Sequence, residues 1–260
     1  MTLRLLLILA LLTFLVACTA TPPALPLRQE LAGVISSDLT LSGEILLTGD
    51  LLILPGRTLT LLPGTTMRVR SAESSKIDPE YLSSLTEILV RGTLKAEGSA
   101  EAPISFSPER AGSDGEIAWA GIILDRSASS SLRFVEIEGA EQGILSIFSA
   151  PQLSDNTIRH CRYGMVVQGA GTAVISANHI EAGEGGLFVL AGASPEIVGN
   201  FISGQAEEGL FVDLASRPHL GRNEISANAI GLLLHNADLP FERNGISGNR
   251  EDLRIITGGE

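Results

Sequence analysis

The sequence predicts an all-β fold, a single-domain solenoid of short parallel strands wound in coils of about 22 residues. Three observations predict it. First, Asn156, Asn178, Asn200, Asn223 and Asn244 each stand two residues before an isoleucine, at steps of 22, 22, 23 and 21 residues. Second, a marker glycine opening an apolar run keeps the same beat: Gly121-Ile-Ile-Leu, Gly143-Ile-Leu-Ser, Gly164-Met-Val-Val, Gly186-Leu-Phe-Val, Gly209-Leu-Phe-Val and Gly231-Leu-Leu-Leu. Third, the apolar runs are three to five residues long, rich in Ile, Val, Leu and Phe, and bounded by Gly, Asn, Ser and Pro, as short strands are. The period leaves no room for a helix hairpin with its loops, and the Leu-x-x-Leu-x-Leu frame of leucine-rich repeats is absent. About three strands per coil, each lying ~4.8 Å above its equivalent, give a parallel β-helix.

The columns of the repeat specify the interior. Leu153, Ile175, Ile197, Leu220 and Phe241 lie three residues before their asparagines, and Ile158, Ile180, Ile202, Ile225 and Ile246 lie two after, so each set stacks into an apolar ladder. The asparagines form a ladder of their own, in which each side-chain amide reaches the Asn one coil away and satisfies a polar group at a tight bend. None is followed by Ser or Thr two positions on, so the expected role is structural. Cys161 aligns with Gly183, Ala206 and Asn228 and reads as a small packed residue.

Taken in order, the chain opens on a secretory signal over residues 1–17, with Arg4 ahead of an apolar run, Leu5 to Val16, too short to span a membrane. That run ends in Leu15-Val16-Ala17-Cys18, which resembles the bacterial lipobox. The resemblance implies cleavage before Cys18, a diacylglycerol thioether on its sulfur and a stable membrane anchor. Thr19, where an Asp would signal retention, implies the outer membrane of the cell envelope. With Cys18 lipidated, Cys161 has no partner in the chain for a disulfide. Residues 18–35 read as a lipidated, proline-rich tether, and residues 36–258 as the solenoid, its β pattern starting near Leu39. Leu51 to Val69 holds two short strands punctuated by Pro-Gly turns, and Ile88 to Phe106 repeats the rhythm. Polar insertions at Ser71 to Thr86 and Ser107 to Ala118 break it and are expected as loops.

The stretches Gly49 to Thr66, Ile88 to Phe106, and Trp119-Ala-Gly-Ile with Val135-Glu-Ile resemble the N-terminal coils of bacterial right-handed parallel β-helix proteins of the pectin-lyase-like superfamily. The later Asn-x-Ile and Gly-Leu-x-Val coils are similar to the carbohydrate-binding and sugar-hydrolase repeats of NosD-type proteins. The resemblance covers nearly all of residues 39 to 256 and implies a right-handed helix. For activity it implies little, because the superfamily holds lyases, hydrolases, epimerases and members with no known reaction.

Removing residues 1–17 leaves 17 basic against 30 acidic residues, a balance of −13, and the lack of a basic patch argues against nucleic acid as partner. Metalloprotease, Cys-x-x-Cys, phosphate-loop and Gly-x-Ser-x-Gly motifs are absent, and His160, His179, His219 and His235 show no metal-ligand spacing, so neither a metal nor a cofactor is expected. The Asp-Gly-Glu at Asp114 to Glu116 is an isolated acidic turn. Four residues after the marker glycines stand Asp125, Ile147, Gln168, Leu190, Asp213 and His235. Asp213 and His235 are the polar neighbours on consecutive coils there, an acid–base pair or, more simply, surface polar contacts. No catalytic set converges around them.

The residue after next from each marker glycine points away from the core, because side chains alternate along a strand. Yet that column reads Ile123, Leu145, Val166, Phe188, Phe211 and Leu233 before turning polar at Arg254. Either the chain itself covers this stripe or Phe188 and Phe211 anchor a partner, a second copy or sugar rings stacking on the aromatic faces, with Asp213 and His235 beside them. The expectation is a lipid-anchored envelope protein whose β-helix is a non-catalytic binding or scaffold surface, for polysaccharide or another envelope component. The alternative is an enzyme acting on polysaccharide.

Overall fold

The computed structural model describes residues 29–71, 83–110, 116–127, 129–242 and 245–256. The segment 1–28 with Cys18, most of the first insertion, residues 111–115 of the second and Asn244 lie outside the described residues. Every strand pairing is parallel, and the strands stack into three faces. The first face carries Glu87–Val90, Trp119–Asp125, Ala140–Ile147, Tyr163–Gln168, Gly185–Leu190, Glu208–Val212, Ile230–Leu234 and Glu251–Ile255. Eight three- to five-residue strands, from Leu39–Leu41 to His219–Gly221, make the second. The third runs from Thr66–Val69 through Thr157–Arg159 and Phe201–Ser203 to Glu224–Ser226. Two long strands, Gln29–Ile35 and Glu44–Ile53, turn the corner from the third face to the first. The solenoid therefore begins inside the segment read as tether. Gln29-Glu-Leu-Ala-Gly-Val-Ile has no proline, and Gly33, at φ 90°, takes up the register shift opposite Leu47 and Leu51.

The interior is one continuous cluster from Ile35 to Leu239 in which the isoleucines of the Asn-x-Ile motif are buried to within 1 % over Ile158, Ile180, Ile202 and Ile225. Phe106 and Trp119 stack at 6.3 Å inside it, and the Trp119 indole donates to the Glu138 carbonyl at 2.9 Å. Each coil bends at three corners, and left-handed backbone recurs there: Asp155, Ala177 and Arg222 just before the ladder asparagines, His160, Ala182 and Ala227 after them, and Arg126, Phe148 and Ala191 past the first face.

The two sequence markers are one steric device. A Cβ built on Gly186 would stand 2.3 Å from the Gly209 carbonyl oxygen and 2.5 Å from Cγ2 of Ile202, and Gly143, Gly164 and Gly209 meet the glycine and isoleucine of the next coil in the same way. The isoleucine of one coil thus sits against the bare backbone of the coil before it.

Asn178 Nδ2 donates to Asn200 Oδ1 at 2.9 Å, and Asn156 and Asn200 do the same to Asn178 and Asn223. Each Oδ1 also accepts the backbone N–H of the preceding ladder asparagine, and each Nδ2 also donates to a backbone carbonyl of the previous coil. A second ladder stands five residues further on: Gly183 N–H to Gln205 Oε1, Gln205 N–H to Asn228 Oδ1 and Asn228 N–H to Asn249 Oδ1, ending on the Asp252 carboxylate. Gln205, rather than Ala206, occupies this column, because the extra residue of the 23-residue coil falls between Gln205 and Gly209. Cys161 starts it, with Sγ facing the Ile137 carbonyl at 4.0 Å.

Candidate functional site

The outward column of the first face is longer than the six coils legible from the marker glycines. Strand register aligns Val34, Leu52, Leu89, Ile123, Leu145, Val166, Phe188, Phe211 and Leu233, nine apolar residues in line, with Arg254 closing the column. Eight steps of ~4.8 Å make it ~38 Å long. Much of it is sealed by its own neighbours: Leu54, Leu145 and Ile147 pack on Leu52, Leu89 and Ile123. Val166 and Leu233 are buried too, whereas Leu145, Phe188 and Phe211 remain half-buried. The surface opens there, and beside it Phe148 and Leu214 stand 53 % and 63 % exposed at the corner toward the second face.

Four rings on successive coils form a continuous run. Tyr163 meets Phe188 edge-on at 5.2 Å, Phe188 stacks on Phe211 at 5.5 Å and 25°, and Phe211 meets the His235 ring at 5.1 Å and 72°. Phe188 leans back over Gly185, where an added Cβ would stand 2.3 Å from its Cε2. Because Phe188 and Phe211 face each other along the solenoid axis, their edges rather than their faces look outward. A ligand approaching from solvent, a second copy or sugar rings among the alternatives read from sequence, would meet the edges of this stack. Tyr163 is the member of the run that the sequence reading missed; its signal was its place one residue before the marker Gly164.

Asp213 and His235 do not form an acid–base pair. The Asp213 carboxylate accepts the N–H groups of Ala191 at 2.7 Å, Ser216 at 2.8 Å and Ala215 at 3.1 Å, so it caps a turn. Partial burial pushes its pKa up, but the hydrogen bonds from Ser216, Ala191 and Ala215 outweigh this and hold it below the ordinary aspartate value. His235 is committed to Phe211. Burial pushes the Cys161 thiol up to about 12, which leaves it inert as a nucleophile near neutral pH. Among the described residues, no group of three or more His, Cys, Asp or Glu side chains is placed to hold a metal ion.

Polar groups flank the ring run on both sides. Toward the third face, Glu208 lies three residues before Phe211, and a recess of about 410 Å³ opens between Glu207, Glu208, Arg250, Glu251 and Arg254. Toward the second face stand Gln168 and His235, both half-buried.

Comparison with curated proteins and with solved structures returns no match. Residues 142–259 match the model of the family described as right handed beta helix region, which includes all four coils of the ring run. The chain is an all-β parallel solenoid, and its C-terminal coils are a right-handed β-helix region.

Proposed function

We propose that this protein is a lipid-anchored component of a bacterial envelope, held at the outer membrane through Cys18, whose first face is a non-catalytic binding surface for polysaccharide or another envelope component. The observation that carries the reading is the run Tyr163, Phe188, Phe211, His235, four rings on an outward sheet face that the core does not require. An apolar run kept on the solvent side of a solenoid, open at its centre and rimmed by polar groups, has the make-up of a binding site. The enzymatic alternative has less support, because Asp213, the acid of the pair read from sequence, accepts three backbone N–H groups.

Changing Phe188 and Phe211 together to Ser should keep the β-sheet circular-dichroism spectrum while abolishing ligand binding or self-association. A collapse of the melting point would show that the two rings serve the fold, and the binding reading would be dropped. Separately, Cys18→Ser should release the protein from the detergent phase; unmodified wild type recovered in the soluble periplasmic fraction would refute the anchor.

A further inference from the structure

The dimensions and charge of the first face narrow what binds there. The apolar column is ~38 Å long and one or two outward residues wide over the ring run, where Leu190 joins Phe188, and Phe148 and Leu214 widen it at the corner toward the second face. A long strip of this shape fits an extended chain, whereas a second copy or a globular partner would have to bury the charged rim beside it as well. Between chain ligands, a peptide is the poorer fit. A peptide held as an added strand needs a free sheet edge, and here the strand backbones under the strip already pair with the coils on both sides. A glycan chain lays its apolar C–H surface on the ridge and turns its hydroxyls to flanking side chains and water at no such cost.

Charge then separates classes of glycan. Of the cations around the ring run, Arg162 is taken by Glu184 at 2.9 Å and Arg254 by Glu251. Glu207 and Glu208 have no salt-bridge partner among the described residues and share the recess with Arg250. Asp213 adds a further negative charge on the other side, held ionised by its turn. A uronate chain would bring rows of carboxylates against this rim.

Resting on the binding-surface reading above, we infer that the ligand is an extended glycan without acidic groups, lying along the solenoid axis over Phe188 and Phe211 with its hydroxyls reaching Glu208 on one side and Gln168 on the other. Calorimetric titration of the full-length protein in detergent with cellohexaose, chitohexaose, hexaglucosamine and hexagalacturonate tests it. Saturable binding is expected for at least one non-acidic hexasaccharide, with the matching disaccharide at least about tenfold weaker because it covers one coil step or two. Hexagalacturonate should bind at least about tenfold more weakly at low salt, and Glu207→Gln with Glu208→Gln should narrow that gap. Binding of hexagalacturonate as tight as that of the others, lost in the Phe188→Ser, Phe211→Ser variant, would overturn the inference and leave the binding surface standing. Sedimentation showing a dimer that the same variant breaks would do likewise in favour of a second copy. No saturable binding of any hexasaccharide, with no change in sedimentation between wild type and variant, would overturn both.

Discussion

Replacing Asn200 by Ala removes one of the two most heavily bonded side chains of the first ladder. Asn200 is fully buried, its Oδ1 accepts from the backbone N–H of Asn178 at 3.0 Å and from Asn178 Nδ2 at 2.9 Å, and its Nδ2 donates to the Ile175 carbonyl at 2.9 Å and to Asn223 Oδ1 at 3.0 Å. Three of the partners keep another bond: Asn178 Nδ2 still reaches the Leu153 carbonyl, Asn223 Oδ1 still accepts the Asn200 N–H, and Ile175 remains in its strand. The Asn178 N–H is left facing a cavity. One stranded buried donor costs ~1 to 3 kcal/mol and the weakened bonds add ~1 more, so the loss should be about 2 to 4 kcal/mol. At ~2 to 4 °C per kcal/mol for a domain of this size, the melting point should fall by roughly 4 to 16 °C. The same arithmetic applies to Asn156 and Asn178, since each takes one backbone N–H from the coil before it. The three Ala variants should therefore melt within a few degrees of one another, well below an exposed control such as Glu181→Ala. If Asn200→Ala melts with that control, the ladder is ornamental and the reasoning fails.

Other outcomes follow from the same coordinates. Gly186→Ala forces a methyl to 2.3 Å from a backbone oxygen that a rotamer change cannot move, and should cost about 3 kcal/mol or more, whereas Gly192→Ala, in open space at φ 80°, should cost ~1 to 2 kcal/mol; equal denaturation midpoints would refute the steric account of the marker glycines. The Cys161 thiol is raised in the folded state above its unfolded value near 8.5, so its contribution is fully present below that pH and is lost as the pH rises toward about 12. Stability of the wild type relative to Cys161→Ala should then fall by ~1.4 kcal/mol per pH unit between about 9 and 11, and parallel pH profiles of the two proteins would contradict it.

The fold was legible because its constraints repeat. Asn-x-Ile and Gly-x-x-x are each weak alone, but the 22-residue beat lines them up, and the structure gives the reason: the glycine of one coil makes room for the isoleucine of the next. Where the beat faltered, so did the reading. Gln29 to Ile35 carries neither marker and reads as tether, although in the fold it pairs with Ile45 to Ile53. The second ladder escaped because its residues differ in kind, a thiol, a bare glycine, a Gln and two Asn, and only geometry shows that Gln205, Asn228 and Asn249 each accept the backbone N–H of the coil before. The column's continuation past Ile123 to Leu89 and Leu52 is hidden for a similar reason: Glu87 and Asp50 stand two residues before them, where later coils carry glycine.

The candidate site was legible in its residues and not in their orientation. Alternation alone puts Phe188 and Phe211 on the solvent side, and the register confirms their adjacency. What sequence does not carry is the direction of a ring about χ1 and χ2. Rings ~4.8 Å apart on neighbouring coils lose less surface to water by stacking on each other than by lying flat, and Gly185 supplies the space into which Phe188 leans. The same holds for Asp213, which sits beside His235 in the linear pattern but folds back onto the N–H groups of its own turn, because a half-buried carboxylate gains more from three backbone donors than from one neutral imidazole. A pair that the sequence leaves open between acid–base chemistry and surface contact thus becomes a turn cap and a ring contact, and what this face keeps is an apolar ridge flanked by polar groups.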